Sequence, residues 1–306
     1  MLGPVLETLI GGLLTGVLYS LVALGFVLIF KASGVFNFAQ GAMVLFAALS
    51  LARLSEVMPL VLALALSVLI MIALAYAIEF LVLRRLVNQD GIILFMATLG
   101  IAYFLEGFGQ AIWGSDIYKI GLGLPTNPIF ILESVFPGGL LIDPAELIAA
   151  LICAALVLAL AVFFQVTRMG RALRAVADDH QAAQSVGIPL DRIWVMVWAV
   201  AGIVALVAGM MWGAKLGVQF SLSLIALKAL PVLILGGFTS IPGAIVGGLI
   251  IGAGEKLAEV FIAPALARTF DLAGGGIENW FAYVLALVFL LFRPQGLFGE
   301  RIIERV

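Results

Sequence analysis

The stretch Leu60-Val61-Leu62-Ala63-Leu64-Ala65-Leu66-Ser67-Val68-Leu69-Ile70-Met71-Ile72-Ala73-Leu74-Ala75-Tyr76-Ala77-Ile78-Glu79-Phe80-Leu81-Val82-Leu83 contains one charged side chain, Glu79, and it decides the fold class. A helix needs about 20 consecutive apolar residues to cross the hydrocarbon core of a bilayer, and this run supplies them. The rest of the chain agrees: of 306 residues, 64% are hydrophobic and 11% charged, and the mean hydropathy is +1.24. A soluble domain has charge on about a quarter of its residues and is about half apolar, so a water-soluble fold is excluded. The net charge of −2 leaves no basic footprint, which excludes nucleic acid as a principal partner. Cys153, in the apolar run Ile148 to Phe164, has no second thiol to pair with. Disulfides, CxxC chemistry and thiolate metal sites are therefore excluded, and it reads as a small buried hydrophobe.

Outward from that run, further charge-poor stretches are Leu9 to Phe30, the short Phe38 to Ala52, Ile92 to Trp113 and Leu147 to Val166. Leu9 to Phe30 lacks the basic start and short core of a cleavable signal peptide, so it is expected in the mature protein. After the polar stretch Thr167 to Arg192 come Ile193 to Ala214, two shorter runs, Leu222 to Gly236 and Ile241 to Gly254, and finally Trp280 to Phe292. The expected fold is an all-α polytopic membrane protein with about eight or nine crossings, some short or broken, forming a single domain over residues 1–306.

Lys and Arg in short loops are retained on the cytoplasmic side. Placing Arg84-Arg85, Arg168-Arg171-Arg174-Arg192 and Arg293-Arg301-Arg305 there also puts Lys31 inside and the N-terminus, with only Glu7, outside. The segment Gly114 to Glu146, with Asp116, Glu133, Asp143 and Glu146 against Lys119, then lies outside. The C-terminus returns inside if the two short runs are crossings or half-crossings meeting at Gly236-Gly237.

Two polar, glycine-bearing interruptions flank short apolar runs. One is Ser33-Gly34-Val35-Phe36-Asn37-Phe38-Ala39-Gln40-Gly41, and the other is Gly236-Gly237-Phe238-Thr239-Ser240-Ile241-Pro242-Gly243-Ala244-Ile245-Val246-Gly247-Gly248. Irregular backbone at membrane depth is tolerated only where protein covers it or where it lines a watery cavity, and such breaks in both halves of a chain point to a substrate path. The first reads equally as a loop or as path; the second, with Pro242 and five glycines, favours path or tight packing. Candidate path residues are Asn37, Gln40, Gly41, Lys228, Gly236, Gly237, Ser240, Pro242 and Gly243. Small residues four apart, at Gly12 and Gly16, Gly209 and Gly213, Gly213 and Gly217, Gly243 and Gly247, and Gly248 and Gly252, favour close internal helix packing. Among charges inside apolar runs, Glu79 reads as a residue snorkelling to the interface and Glu106 as a weaker path candidate. Lys228 is expected either in the path or paired with carbonyls freed at the glycine-rich break.

The segment 169–188 is too polar to cross and too rich in Ala to be a loose loop, and Gly187 with Pro189 marks its C-terminal stop. Leu173, Val176, His180 and Ala183 share one face; Arg171, Arg174, Asp178 and Gln181 lie on another. A short cytoplasmic helix of this kind suits a groove on a soluble partner. His180, the only His, reads as a surface residue. The chain has no GxxxxGK[ST], HExxH or GxSxG motif and no intramembrane carboxylate cluster, so it is not expected to be an enzyme, and energy from ATP would have to come from another subunit.

Several blocks in order resemble the LivH-type permease of branched-chain amino-acid ABC importers. They are the run Gly16 to Phe26, Asn37-Phe38-Ala39-Gln40-Gly41, Gly170-Arg171-Ala172-Leu173-Arg174-Ala175-Val176-Ala177 with Ala182-Ala183 and Gly187-Ile188, and Leu227-Lys228-Ala229 through Gly247-Gly248. Arg293-Pro294-Gln295-Gly296-Leu297 is similar to that family's usual ending. The resemblance implies a multi-pass permease of the bacterial inner membrane, translocating branched-chain amino acids or related small organic solutes. It also implies a second, LivM-like permease, two cytoplasmic LivG- and LivF-like ATPases that bind ATP and Mg, and a periplasmic substrate-binding protein, with no cofactor in this chain. The segment 169–188 corresponds to the family's coupling helix, and contact with the ATPases is expected from Arg171, Arg174, Ala175, Asp178, Asp179, Ala182, Ala183, Ser185 and Gly187. Many relatives have His where this chain has Gln40, so no His-dependent role passes to that position. The rival reading is a secondary carrier or channel working without ATPases.

Overall fold

The computed structural model describes the chain except residues 1, 35, 87–88, 126, 132–138, 179, 271–275 and 300–306. Glu133, Asp179, Arg301 and Arg305 therefore lie outside the described residues, as do the side chains of Asp178, His180 and Gln181. The helices in order are α1 (Leu2–Ser33), α2 (Gln40–Val57), α3 (Leu60–Leu81), α4 (Gly91–Trp113), α5 (Pro144–Val166), α6 (Arg168–Asp178), α7 (His180–Ser185), α8 (Leu190–Leu216), α9 (Ile225–Lys228), α10 (Leu230–Gly236), α11 (Ile241–Leu257), α12 (Ala263–Phe270) and α13 (Ile277–Phe292). Between α4 and α5, where only a loop was expected, β1 (Ile129–Ile131) and β2 (Leu140–Ile142) pair antiparallel.

Among the described residues, six helices are long and apolar enough to cross a membrane: α1 to α5 and α8. Residues Phe220–Gly236 and Ile241–Thr269 form a further pair bent by 114°, and Trp280–Phe292 is a shorter apolar helix. That makes six candidate spans, or seven if the bent pair is one span, against the expected eight or nine, and nine would need both arms of the pair and the short Trp280–Phe292 to cross as well. The second run is longer than its charge-free core suggested, because α2 continues through Arg53, whose guanidinium pairs with Glu56 one turn later. Likewise α11 does not stop at Gly254; a π-helical turn at Ala258–Ile262 leads it into α12.

The chain divides into two compact units: Met1–Ala23, Gly123–Ala155 and Leu227–Val306 form the first, Leu24–Leu122 and Leu156–Ala226 the second. The core of the second unit is α2, in which every residue from Gln40 to Ala52 is buried. It packs against α3, α4, α8 and the 3₁₀ turn Phe220–Leu224. Small residues permit these contacts: a Cβ on Gly209 would lie 2.6 Å from the Val44 carbonyl oxygen, and one on Gly41 would lie 2.2 Å from that of Ser223.

In the first unit, α1 and α11 run antiparallel along a glycine seam. A Cβ on Gly12 would meet Gly252 O at 2.8 Å, one on Gly16 would meet Gly248 O at 2.5 Å, and one on Gly252 would meet Gly12 O at 2.4 Å. The Ser20 hydroxyl extends the seam, donating to the carbonyls of Gly16 and Ile245 at 2.8 and 3.2 Å. The pairs four apart at Gly12 and Gly16 and at Gly248 and Gly252 thus serve internal packing, where backbones must approach closely because lipid offers no hydrophobic drive between helices.

Candidate functional site

The first break is exposed at Gly34 and covered from Asn37 onward. Asn37 and Gln40 are fully buried. The Asn37 carboxamide oxygen accepts from Ala39 N at 3.0 Å, and its backbone oxygen accepts from Gln40 N at 3.2 Å, so Asn37 fixes the turn that leads into α2. Thr98 Oγ1 lies 3.3 Å from Phe38 N and 3.4 Å from Phe36 O. The rings of Phe26, Phe36, Phe38 and Phe95 follow one another at centroid separations of 4.7 Å beside it. Gln40 Oε1 lies 3.4 Å from Asn37 Nδ2, while Gln40 Nε2 is buried with no hydrogen-bond partner among the described residues. Gly25 makes room for that amide, since a Cβ there would lie 2.1 Å from Nε2.

The second break is a helical hairpin within the first unit. Its apex, 237–240, joins α10 to α11. A Cβ on Gly236 would lie 2.2 Å from the Gly243 carbonyl oxygen, and one turn along each arm a Cβ on Gly247 would lie 2.6 Å from that of Val232. Gly237 turns the chain with φ +102°, a conformation that only glycine takes readily. Ser240, nearly buried, caps α11 by accepting from Gly243 N at 3.0 Å, and Pro242 occupies the first turn, where no amide donor is needed. The carbonyls left at the end of α10 are satisfied from the C-terminal segment: Leu297 N donates to Leu235 O at 2.8 Å and Phe298 N to Gly236 O at 3.1 Å. The ending Arg293-Pro294-Gln295-Gly296-Leu297 therefore caps the hairpin, a role its sequence did not suggest.

Of the two readings of Lys228, pairing with carbonyls freed at the break is not what the structure shows. The carbonyls freed at the break, Leu235 O and Gly236 O, accept from Leu297 N and Phe298 N, and the Leu227 carbonyl accepts from the Tyr283 hydroxyl at 2.6 Å. The Lys228 ammonium instead meets Glu255 on α11 at 3.2 Å, and the same carboxylate oxygen accepts from the Tyr19 hydroxyl at 3.2 Å. Glu255 and Tyr19 were not singled out in the sequence. The signal for Glu255 was present: Gly243, Gly247, Ile251 and Glu255 recur every four residues, on the helix face turned to the other arm. Glu79 also departs from expectation. Its side chain is 1% exposed, and Arg84 donates to both its oxygens at 3.1 and 3.3 Å, so it is a buried paired carboxylate and does not snorkel. Glu106 is half-buried on α4.

The polar segment folds as expected in pattern. On α6 Leu173 and Val176 are buried, on α7 Ala183 is buried, and Gly187 ends the segment with Ile188 N donating to Ala183 O at 3.0 Å. Arg171 and Arg174 turn back to the preceding helix: Arg171 donates to Val166 O at 3.1 Å and Arg174 to Phe164 O at 2.5 Å, which satisfies carbonyls at the end of α5. A Cβ on Gly170 would lie 2.1 Å from Phe164 O, so glycine sets the tight turn between α5 and α6. Ala182, Gln184, Ser185 and Gly187 remain exposed, and Ala175 is half-buried.

A family described as "Branched-chain amino acid transport system / permease component" matches residues 8–293. The chain belongs to that family. BraD of Pseudomonas aeruginosa, a high-affinity branched-chain amino acid transport system permease protein, is 29% identical over 98% of both chains. LivH of Escherichia coli, of the same description, is 27% identical over 98% of this permease and 97% of its own length. A probable LivH of Methanocaldococcus jannaschii is 30% identical over 94% and 91%. Among solved structures, PsaBC from Streptococcus pneumoniae in complex with Fab aligns with a TM-score of 0.51 at 14% identity, covering 96% of this permease and 97% of that chain, and shares its fold. Its relatives are transport permeases rather than enzymes, and this chain is a multi-pass membrane protein of the same kind.

Proposed function

We propose that this permease forms one half of the translocation path of an ATP-driven importer in a bacterial inner membrane, with its N-terminus outside and its C-terminus in the cytoplasm. A periplasmic binding protein delivers branched-chain or related amino acids, a second LivM-like permease supplies the other half of the path, and two LivG- and LivF-like ATPases bind ATP and Mg. This chain itself holds no cofactor.

The observation that carries the reading is the amphipathic segment of α6 and α7. Its apolar face is turned inward at Leu173, Val176 and Ala183, while Ala182, Gln184 and Ser185 are left uncovered, in a chain without a nucleotide-binding motif. The relatives, described as branched-chain amino acid transport permeases, support the substrate class. ATP binding draws the ATPase grooves together and moves this segment; the arginine contacts to the end of α5 pass that motion to the membrane helices. Asn37, Gln40 and Gly41 at one break and Lys228, Gly236, Gly237, Ser240, Pro242 and Gly243 at the other are the proposed path residues.

The test is a pull-down from native membrane together with uptake by Ala182→Arg/Ser185→Arg. Two ATPases and a second permease should co-purify with the wild type, and the variant should reach the membrane but lose uptake. Undiminished uptake by the variant, or wild-type uptake abolished by a proton ionophore with no ATPase recovered, would overturn the reading.

A further inference from the structure

We propose that Lys228 and Glu255, steadied by Tyr19, form a transient site for the charged ends of a zwitterionic amino acid, the two side chains parting to take the substrate's carboxylate and ammonium. This rests on the translocation reading above and names the chemistry of its path.

Three observations carry it. First, the pair joins the two arms of the hairpin away from its apex. At the apex the arms are already held by the contacts of Gly236 with Gly243 and of Val232 with Gly247, so an ion pair is not needed to close them. A part-buried ion pair is a weak stabiliser, because solvent screening on the open side and desolvation on the buried side offset most of the attraction. A Lys in the middle of one apolar run, paired with a Glu at the end of the next, therefore asks for a use beyond packing in a transport protein.

Second, the two groups are unequally covered. The Lys228 side chain is 37% exposed, against 10% for Glu255. Lys228 is thus the more accessible of the two to an incoming anion, while Glu255 has the Tyr19 hydroxyl as a second partner on the same oxygen. Third, the backbone at Lys228 is irregular. Lys228 ends the single turn of α9, just before α10, and irregular backbone at membrane depth belongs beside protein or a watery cavity.

The exchange balances charge. One ion pair, Lys228 with Glu255, opens, and two form: Lys228 with the substrate carboxylate and Glu255 with the substrate ammonium. No charge is left bare in a low-dielectric region, which is the main cost of moving a zwitterion across an apolar bundle. Release restores the original pair, so the site resets without a proton or a cofactor.

The experiment uses the complete transporter in cells whose uptake of a panel of labelled zwitterionic amino acids, leucine first, depends on it. Lys228→Met/Glu255→Leu should reach the membrane at wild-type abundance. Its maximal uptake rate should fall about tenfold or more, with the half-saturating concentration unchanged, because capture happens before this site. Lys228→Glu/Glu255→Lys keeps both charges and should transport within about threefold of wild type, since a zwitterion can enter reversed. An apolar double variant that transports like wild type overturns the site. So does a charge-swapped variant that accumulates normally yet transports no better than the apolar one, and this second comparison decides the matter if the apolar variant fails to accumulate. Wild-type cells that import none of the panel overturn the amino-acid reading itself, and the site with it.

Discussion

Gly252→Ala tests the seam between α1 and α11. A Cβ at position 252 would lie 2.4 Å from Gly12 O and 2.5 Å from both Gly16 Cα and Gly16 N, three backbone atoms that no rotamer change can move aside. Ordinary van der Waals contact begins at 3.4 Å, so α1 must retreat by about 1 Å at that level. Overpacking of this kind costs about 1–3 kcal/mol, against a helix-propensity gain for Ala over Gly of about 1 kcal/mol, which leaves a net loss of up to about 2 kcal/mol. Gly11→Ala is the internal control: it lies on α1 beside the seam residue Gly12, with nothing within 4 Å of its added Cβ, so it should show only the propensity gain. The two variants should therefore differ by about 1–3 kcal/mol in opposite directions from wild type, a separation of several degrees in thermal unfolding of the detergent-solubilised protein. Gly252→Ala as stable as Gly11→Ala would refute the seam.

Other substitutions probe the two breaks. Gly25→Ala should displace the Gln40 amide and lower the unfolding temperature, and adding Gln40→Ala should recover most of the loss, because the amide that the new methyl strikes is then gone. Gln40→Ala alone removes a buried Nε2 without a partner and should be near neutral in thermal stability, so a loss of uptake in that variant would mark a functional role. Truncation after Arg293 withdraws the donors to Leu235 O and Gly236 O and should cost about 1–3 kcal/mol for each carbonyl left dry, read by denaturation in detergent; an unchanged midpoint would mean that water serves the apex. Ser240→Ala should cost about 0.5–2 kcal/mol for loss of the cap on α11, measured in the same way.

Much of this protein was legible in local pattern. The apolar runs placed α3, α4, α5 and α8 within a few residues. The alternation of faces placed Leu173, Val176 and Ala183 inward on α6 and α7, and Gly187 ended that segment as its chemistry required. The glycine spacings foretold close packing without naming partners. The β1–β2 hairpin was not legible, because its three-residue strands leave too little alternation to detect between two long apolar helices.

The sequence by itself determined that the chain crosses a membrane several times, where it breaks, and which family it resembles, because hydropathy, helix propensity and glycine chemistry act within a few turns of chain. Only the tertiary structure decided who meets whom. The carbonyl beside Lys228 accepts from Tyr283, and the ammonium pairs with Glu255, 27 residues away. Glu79 found Arg84 and stayed buried, the arginines of α6 were spent on the end of α5, and the C-terminal segment closed the apex of the hairpin. In an apolar bundle each polar group must find a partner, and that partner is set by which helices pack together, which no local window of sequence contains.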